Sequence, residues 1–454
     1  MEIRRRTFIG AAGLAFAGWD RDWRRLRLSG RLVLPGDPDY DARRRPFNTL
    51  YASRRPAAIA LCATEDDVAR CLEFASRDRL PVAARSGRHS YAGYSVPEDG
   101  LVVDVSALNA VRPGQVTEVG AGTSMIGLYE AVGAAGWLVP GGTCASVGIG
   151  GLAPGGGISV VGREYGLTCD RMVGARVVTP DGSVRWVDEE HEPDLFWALR
   201  GGGGGNFGVV TSFHFAAVAA RDLVPFELRT PAGAEADVFG AWQEWLADLP
   251  DELWTACKLE MGRPPSALVS GCWVGPPEGL TPWLDRFAAK VPVVSRNLRP
   301  MDSLTAMRYY ANCLGGCPPV LGNRFAASSR MLRRPVDPAA AVRLVDRARS
   351  GAILFDSFGG AIGRVRPDET AFPHRDALAS AQIFVNGTGI DEATARRELA
   401  EVRDGLGAGG GYVNYVDPEM PDWRTAYYGH NYPRLHRVAR RYDPDRVLAF
   451  PQSV

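Results

Sequence analysis

The segment from Gly141 to Asp181, GGTCASVGIGGLAPGGGISVVGREYGLTCDRMVGARVVTPD, constrains this chain more than any other. Glycine dominates its first part, to Gly157, and a single cysteine, Cys144, sits among small residues there. Glycine lets backbone amides approach a ligand closely and reach positive φ. Successive amides in such a run build a concavity that suits a pyrophosphate. Val147, Ile149, Leu152 and Ile158 break the run, which is too irregular for a low-complexity linker. Taken alone, the stretch is equally well a flexible glycine loop.

A second stretch decides between these readings. Pro81-Val82-Ala83-Ala84-Arg85-Ser86-Gly87-Arg88-His89-Ser90-Tyr91 is a short apolar strand followed by a turn that presents Arg85, Ser86 and His89. Together the two stretches resemble the berberine bridge enzyme-like branch of the vanillyl-alcohol-oxidase (PCMH-type FAD-binding) flavoproteins. In that branch the histidine of R-S-G-G-H-S bonds the flavin 8α-methyl carbon, and the cysteine of G-x-C-x-x-V-G-x-G-G bonds flavin C6. Here those positions are His89 and Cys144. Arg88 departs from the pattern, which has glycine there, so its side chain must point away from the cofactor. The resemblance implies FAD held covalently through both residues. It also implies a cofactor surface drawn from Arg85, Ser86, Gly87, Arg88, Ser90, Thr123, Gly142, Val147, Gly148, Gly150, Gly151, Gly155, Asp170, Gly208, Val210, Tyr412 and Asn414.

At 454 residues the chain is long enough for two domains and a large core. Its 52 basic and 52 acidic residues cancel, which argues against nucleic acid or an anionic membrane as main partner. The start, Arg4-Arg5-Arg6-Thr7-Phe8-Ile9, is basic and resembles a twin-arginine export motif. A short apolar run and Ala15-Phe16-Ala17, an A-x-A cleavage site, follow. The run is too short to span a bilayer, so residues 1–17 are expected to direct export of a folded, cofactor-loaded protein. The eight cysteines include no paired C-x-x-C, so no metal site is expected. Cys313 and Cys317 lie four apart, and export would permit oxidation of some cysteines.

The element pattern predicts an α+β protein. Residues 18–55 are an Arg- and Pro-rich, poorly structured lead-in, and regular structure begins with a strand at 57–62. Thr64 with Glu65, Asp66 and Asp67 caps a helix to about Arg77. Strands at 82–85, 101–104 and 116–119 follow, then a helix capped at Gly122-Thr123-Ser124. This β-α-β-β-β-α order fits the small subdomain of a two-subdomain FAD-binding domain, 56–219. Residues 170–178 and 184–187 read as a hairpin around Pro180-Asp181-Gly182. From 220 to 409, helical patterns alternate with strands near 253–260, 267–273 and 352–358. They predict an antiparallel sheet backed by helices, a substrate domain. The glycines of 201–208 are a weak Rossmann signal, because no strand-helix setting with a downstream acid surrounds them.

Residues 410–454 are expected to return to the FAD domain. Tyr412-Val413-Asn414-Tyr415-Val416-Asp417, Tyr427-Tyr428-Gly429, Tyr442-Asp443-Pro444 and Gln452-Ser453 match the family's ending in order, so the resemblance covers some four hundred residues. It implies an oxidase that takes an alcohol or hemiacetal carbon of a sugar, glycoside or related metabolite to a carbonyl or lactone, with dioxygen as acceptor. A natural-product tailoring dehydrogenase or cyclase, and a non-catalytic FAD-binding protein, are the alternatives. The resemblance gives base duty to tyrosines of Y-x-N-Y, here Tyr412 and Tyr415. Three apart on a strand they would face opposite sides, which favours Tyr415 and leaves Tyr412 to packing. A phenol near pKa 10 needs a cationic or hydrogen-bonding neighbour to act as a base. Gln382 stands where the berberine bridge enzyme has its glutamate base and cannot accept a proton. His374, in Phe-Pro-His-Arg, reads as structural.

Overall fold

The computed structural model describes residues 21–454. The basic start and the Ala15-Phe16-Ala17 site lie outside the described residues.

The first sheet has parallel strands Ala58–Leu61, Leu101–Asp104 and Val82–Arg85, with the central strand buried along its length. That strand's apolar run, Leu101-Val102-Val103, is what a parallel sheet covered on both faces requires. The crossover is the helix Glu65–Asp78, which the Thr64 hydroxyl caps by accepting the Asp67 amide at 3.2 Å. It ends at Arg79 in the left-handed region, φ 50°. Buried Val68, Cys71, Leu72 and Ala75 recur at helical spacing.

Two expectations change here. The lead-in is structured: Arg31–Val33 adds an antiparallel edge strand against Ala58–Leu61. Asp67 holds this arrangement by accepting the amides of Ser29 and Gly30 at 2.7 and 2.9 Å. A three-residue strand carries too little pattern to read from sequence. The Val116–Gly120 strand leaves the first sheet and joins a second, antiparallel one. The order there is Val111–Arg112, Val116–Gly120, Val209–Ala216, Met172–Val178, Val184–Val187. The β-α-β-β-β-α run is therefore split between two sheets, with the helix Met125–Ala134 after the break.

The third sheet has seven antiparallel strands, in the order Ser295–Leu298, Leu223–Arg229, Ser266–Val274, Leu253–Met261, Gly351–Ser357, Ala379–Asn386, Phe325–Leu332. Alternation sets its two faces. Leu253, Cys257, Leu259, Ile353, Phe355 and Ile383 pack with buried residues of helices Glu235–Trp245, Pro338–Arg347 and Glu392–Gly405. Trp254, Ala256, Leu354, Asp356 and Gln382 turn the other way, into a cavity. Four of these strands carry no clear sequence signal. Phe325–Leu332 is buried throughout and rich in Ala and Ser, so it shows no polar alternation. The C-terminal helices Trp423–Tyr428 and Tyr432–Tyr442 place Tyr427, Leu435 and Val438 in the core shared by the first two sheets.

Candidate active site

A cavity of about 490 Å³ lies between the first two sheets and the open face of the third. Its glycines divide into two kinds. Gly87 and Gly148 press backbone to backbone: a Cβ on Gly87 would stand 2.2 Å from the Gly148 amide nitrogen. They join the histidine turn to the cysteine loop. Gly151 and Gly204 instead face open space, where a Cβ would meet nothing within 4 Å and nothing nearer than 3.5 Å respectively. Backbone without side chains lets a ligand approach closely, and Asp356 is the only carboxylate among the lining residues. The residues present therefore fit a long, phosphate-bearing cofactor.

His89 and Cys144 both line this cavity. The His89 ring stacks on Phe47, centroids 4.0 Å apart, and its Nε2 is 2.8 Å from the Ser146 Oγ, two residues past Cys144. Burial lowers the His89 pKa to about 4, so the imidazole is neutral at physiological pH. With Nε2 engaged by Ser146, Nδ1 is the ring nitrogen with no hydrogen-bond partner among the described residues. Cys144 opens onto the cavity, yet protein atoms crowd its thiol enough that burial raises its pKa. Arg88 has φ 65°, a left-handed conformation that favours glycine, which accounts for glycine in the resembling motif. Its guanidinium lies 3.5 Å from the Ala42 carbonyl at the exposed surface. Arg85 is buried against Asp104, Nε to Oδ2 2.8 Å, so it braces the strand end under the turn.

The facing wall carries Tyr91, Gln382, Tyr412, Tyr415 and Asp356. The strand expected at the two tyrosines is a 3₁₀ turn, Val413–Tyr415, with Tyr412 at its N-cap. Residues i and i+3 of a 3₁₀ turn eclipse, so the rings fall on one side, 4.8 Å apart and edge to face. Their hydroxyls differ in setting. The Tyr412 oxygen accepts the Gly157 amide and the Asn414 amide group, each at 2.8 Å. Tyr415 stacks on Tyr91 at 5.5 Å, and the Tyr91 hydroxyl accepts from Gln382 Nε2. Burial, then the negative charge of Asp356, push the Tyr415 pKa well above the ordinary value.

Asp356 is the group that sequence reasoning missed. Buried in the Gly351–Ser357 strand, its carboxyl is pushed up to about 7 by burial alone, with no partner charge offsetting it. Nothing in Leu354-Phe355-Asp356-Ser357 marks it out. The usable signal is that alternation turns Asp356 and Gln382 to the same sheet face.

Of the cofactor residues expected from sequence, Ser86, Ser90, Gly142, Val147, Gly150, Gly208, Val210 and Asn414 also line the cavity. Thr123, Gly155 and Asp170 stand outside the lining. Thr123 is buried at the start of the Met125–Ala134 helix. Gly155 gives room to the Asn414 side chain, whose Oδ1 a Cβ would meet at 2.0 Å. Asp170 forms a buried two-pronged ion pair with Arg375, 2.7 and 2.8 Å. His374 packs against Gly410 with Nε2 3.2 Å from the Tyr427 carbonyl, a structural setting.

Comparison with known proteins gives a consistent picture. Residues 56–188 match the FAD binding domain family and 411–454 the family described as berberine and berberine like. The uncharacterized FAD-linked oxidoreductase YgaK of Bacillus subtilis is 32% identical over 445 residues, covering 95% of this chain and 98% of that protein. The chitooligosaccharide oxidase of Gibberella zeae is 27% identical over 442 residues, covering 88% and 87%. Among solved structures, Physcomitrella patens BBE-like 1 superposes with a TM-score of 0.88 at 27% identity, covering 94% of this chain and 97% of that one. The xylooligosaccharide oxidase from Myceliophthora thermophila in complex with xylobiose gives 0.85 at 26% identity, with the same coverage.

Proposed function

This chain belongs to the berberine bridge enzyme-like branch of the PCMH-type FAD-binding oxidoreductases, and on that premise we propose that it is an exported oxidase holding FAD through both His89 and Cys144. Its substrate in this reading is an alcohol or hemiacetal carbon of a sugar or glycoside, taken to a carbonyl or lactone. The oligosaccharide oxidases among its relatives support the substrate class. Export is supported by Arg4-Arg5-Arg6 and by the disulfide between Cys313 and Cys317, a bond that suits an oxidising compartment.

Bound in the cavity, FAD supplies a two-electron acceptor for hydride from the substrate carbon and passes the pair to dioxygen, giving hydrogen peroxide. The chain supplies attachment, orientation and a proton acceptor. Neutral His89 offers Nδ1 for one bond while Ser146 fixes the ring. Cys144 offers its sulfur for the other once its proton leaves.

The carrying observation is that Asp356 and Tyr415 meet in the same cavity as the two attachment residues. Tyr415 alone is a poor base, because its surroundings raise its pKa. Asp356, poised near 7, can accept the hydroxyl proton at working pH. Base duty therefore falls to the Asp356–Tyr415 pair, with Asp356 as the acceptor and Tyr415 as the phenol that orients the hydroxyl. Gln382 holds Tyr91 and accepts no proton. Anaerobic mixing with mono- and oligosaccharides, glycosides and simple alcohols tests the reading. Bleaching of the flavin by members of this set is expected, and a flavin that none of them reduces refutes it.

A further inference from the structure

Residues 311–323 run from a cavity-lining residue to one bonded beside His89. The segment leaves the helix Ser303–Tyr310 at Tyr310, a cavity-lining residue whose hydroxyl donates to the Gly271 carbonyl at 2.7 Å. It rejoins the body at Asn323, whose amide donates to Phe47 and whose carbonyl accepts from Thr49. Phe47 is the residue stacked on His89. Two residues on, Phe325 sets its ring edgewise against Tyr91 at 5.1 Å. Both ends of the segment are thus fixed at the site.

Between these anchors the chain behaves unlike a surface loop. The Cys313–Cys317 disulfide ties its root. Residues 314–323 are all exposed, although the sequence beyond the disulfide is Pro318-Pro319-Val320-Leu321. Leu314, Val320 and Leu321 are 56, 64 and 77% exposed, in a chain whose described residues include few large apolar side chains so open. Exposed apolar side chains gathered on one short segment mark a surface that something covers. The continuity of this segment with the cavity says what: the outer part of a molecule lying in the cavity. The cavity wall from the substrate domain carries no Lys or Arg and one acid, Asp356, so the reacting end is polar and uncharged.

We propose that residues 314–321 are a lid closing over an apolar group of the substrate, so that the enzyme takes uncharged glycosides or alcohols bearing an alkyl or aryl substituent beyond the oxidised carbon. This rests on the oxidase reading and narrows it. Polar free oligosaccharides would leave Leu314, Val320 and Leu321 uncovered and would be poorer substrates.

The test uses full-length holoenzyme with methyl and octyl β-glucopyranoside, both below micelle-forming concentration. Burying methylene groups accumulates affinity quickly, so KM is expected to fall by ~10-fold or more from methyl to octyl. Amide hydrogen exchange over 314–321 should slow with the octyl compound and not with the methyl one. The variant carrying Leu314→Ser, Val320→Ser and Leu321→Ser should lose both the KM advantage and the protection, with flavin content and thermal midpoint reporting its fold. Equal KM values with an unprotected loop overturn the lid. So does octyl protection that persists in the triple variant. If the triple variant instead dissociates an oligomer in sedimentation, a second copy covers the loop and the lid is overturned. If octyl glucopyranoside protects the loop but neither glycoside reduces the flavin, the lid stands and the sugar reading falls.

Discussion

Replacing Asp356 with asparagine separates the two candidate bases and has a signature in stability as well as rate. The side chains are nearly the same size, so packing in the Gly351–Ser357 strand is retained. The Asp356 carboxyl titrates at about 7 in the fold against 3.8 unperturbed. That displacement of roughly three units, at about 1.36 kcal/mol each, makes the ionised form cost on the order of 4 kcal/mol. The sign follows from linkage. Below about pH 4 both folded and unfolded chains are protonated, and no penalty exists. As pH rises toward 7 the unfolded chain releases its proton first, and the fold loses stability relative to it. Above 7 the full penalty persists. Asp356→Asn abolishes this, so the variant should melt higher than the wild type at pH 8, with the gap closing toward pH 4. Flavin reduction should move the opposite way. Wild-type reduction should rise with pH through about 7 and level off, while the variant is flat and ~10²–10⁴-fold slower, the usual loss of a positioned general base. Anaerobic stopped-flow from pH 5 to 9 with thermal unfolding at each pH measures both. A variant that is more stable at pH 8 yet reduces at wild-type speed would refute the assignment of Asp356 as proton acceptor.

The two tyrosines should differ in kind. Tyr412→Phe leaves the Gly157 and Asn414 donors without their acceptor, a loss of about 1–3 kcal/mol for each donor that finds no water, so its effect should appear in thermal unfolding. Tyr415→Phe should slow flavin reduction while leaving the melting temperature close to wild type; slow reduction in Tyr412→Phe alone would reverse the roles. Acid precipitation should leave the flavin in the pellet, with intact mass exceeding the polypeptide by one FAD. His89→Ala and Cys144→Ala should each keep it through the other bond, and release from either single variant shows one bond rather than two. Val147 lines the cavity three residues after Cys144, so Val147→Leu should slow reoxidation of the reduced enzyme by oxygen, and an unchanged rate moves the oxygen approach elsewhere.

What the sequence determined by itself was local. Thr64 followed by three acids fixes the start of the Glu65–Asp78 helix, because capping is a matter of neighbouring backbone groups. The histidine and cysteine motifs are equally short-range, since the same few residues form the turn and present the side chain. Other features needed the whole fold. Arg88 reads as an exception to a glycine motif, and only its backbone dihedral accounts for the glycine. Tyr412 and Tyr415 read as strand residues because three positions cannot distinguish an extended segment from a 3₁₀ turn. The alternation of Leu253–Met261 is legible, whereas the order of the seven strands depends on pairings between residues far apart in the chain. Asp356 was the hardest to see. A carboxylate in an apolar strand is silent in sequence, and its pKa near 7 is a sum over every atom that keeps water from it. Desolvation is collective, so no motif encodes it. Only the closing of the third sheet over the cavity sets that carboxyl in the same pocket as Tyr415.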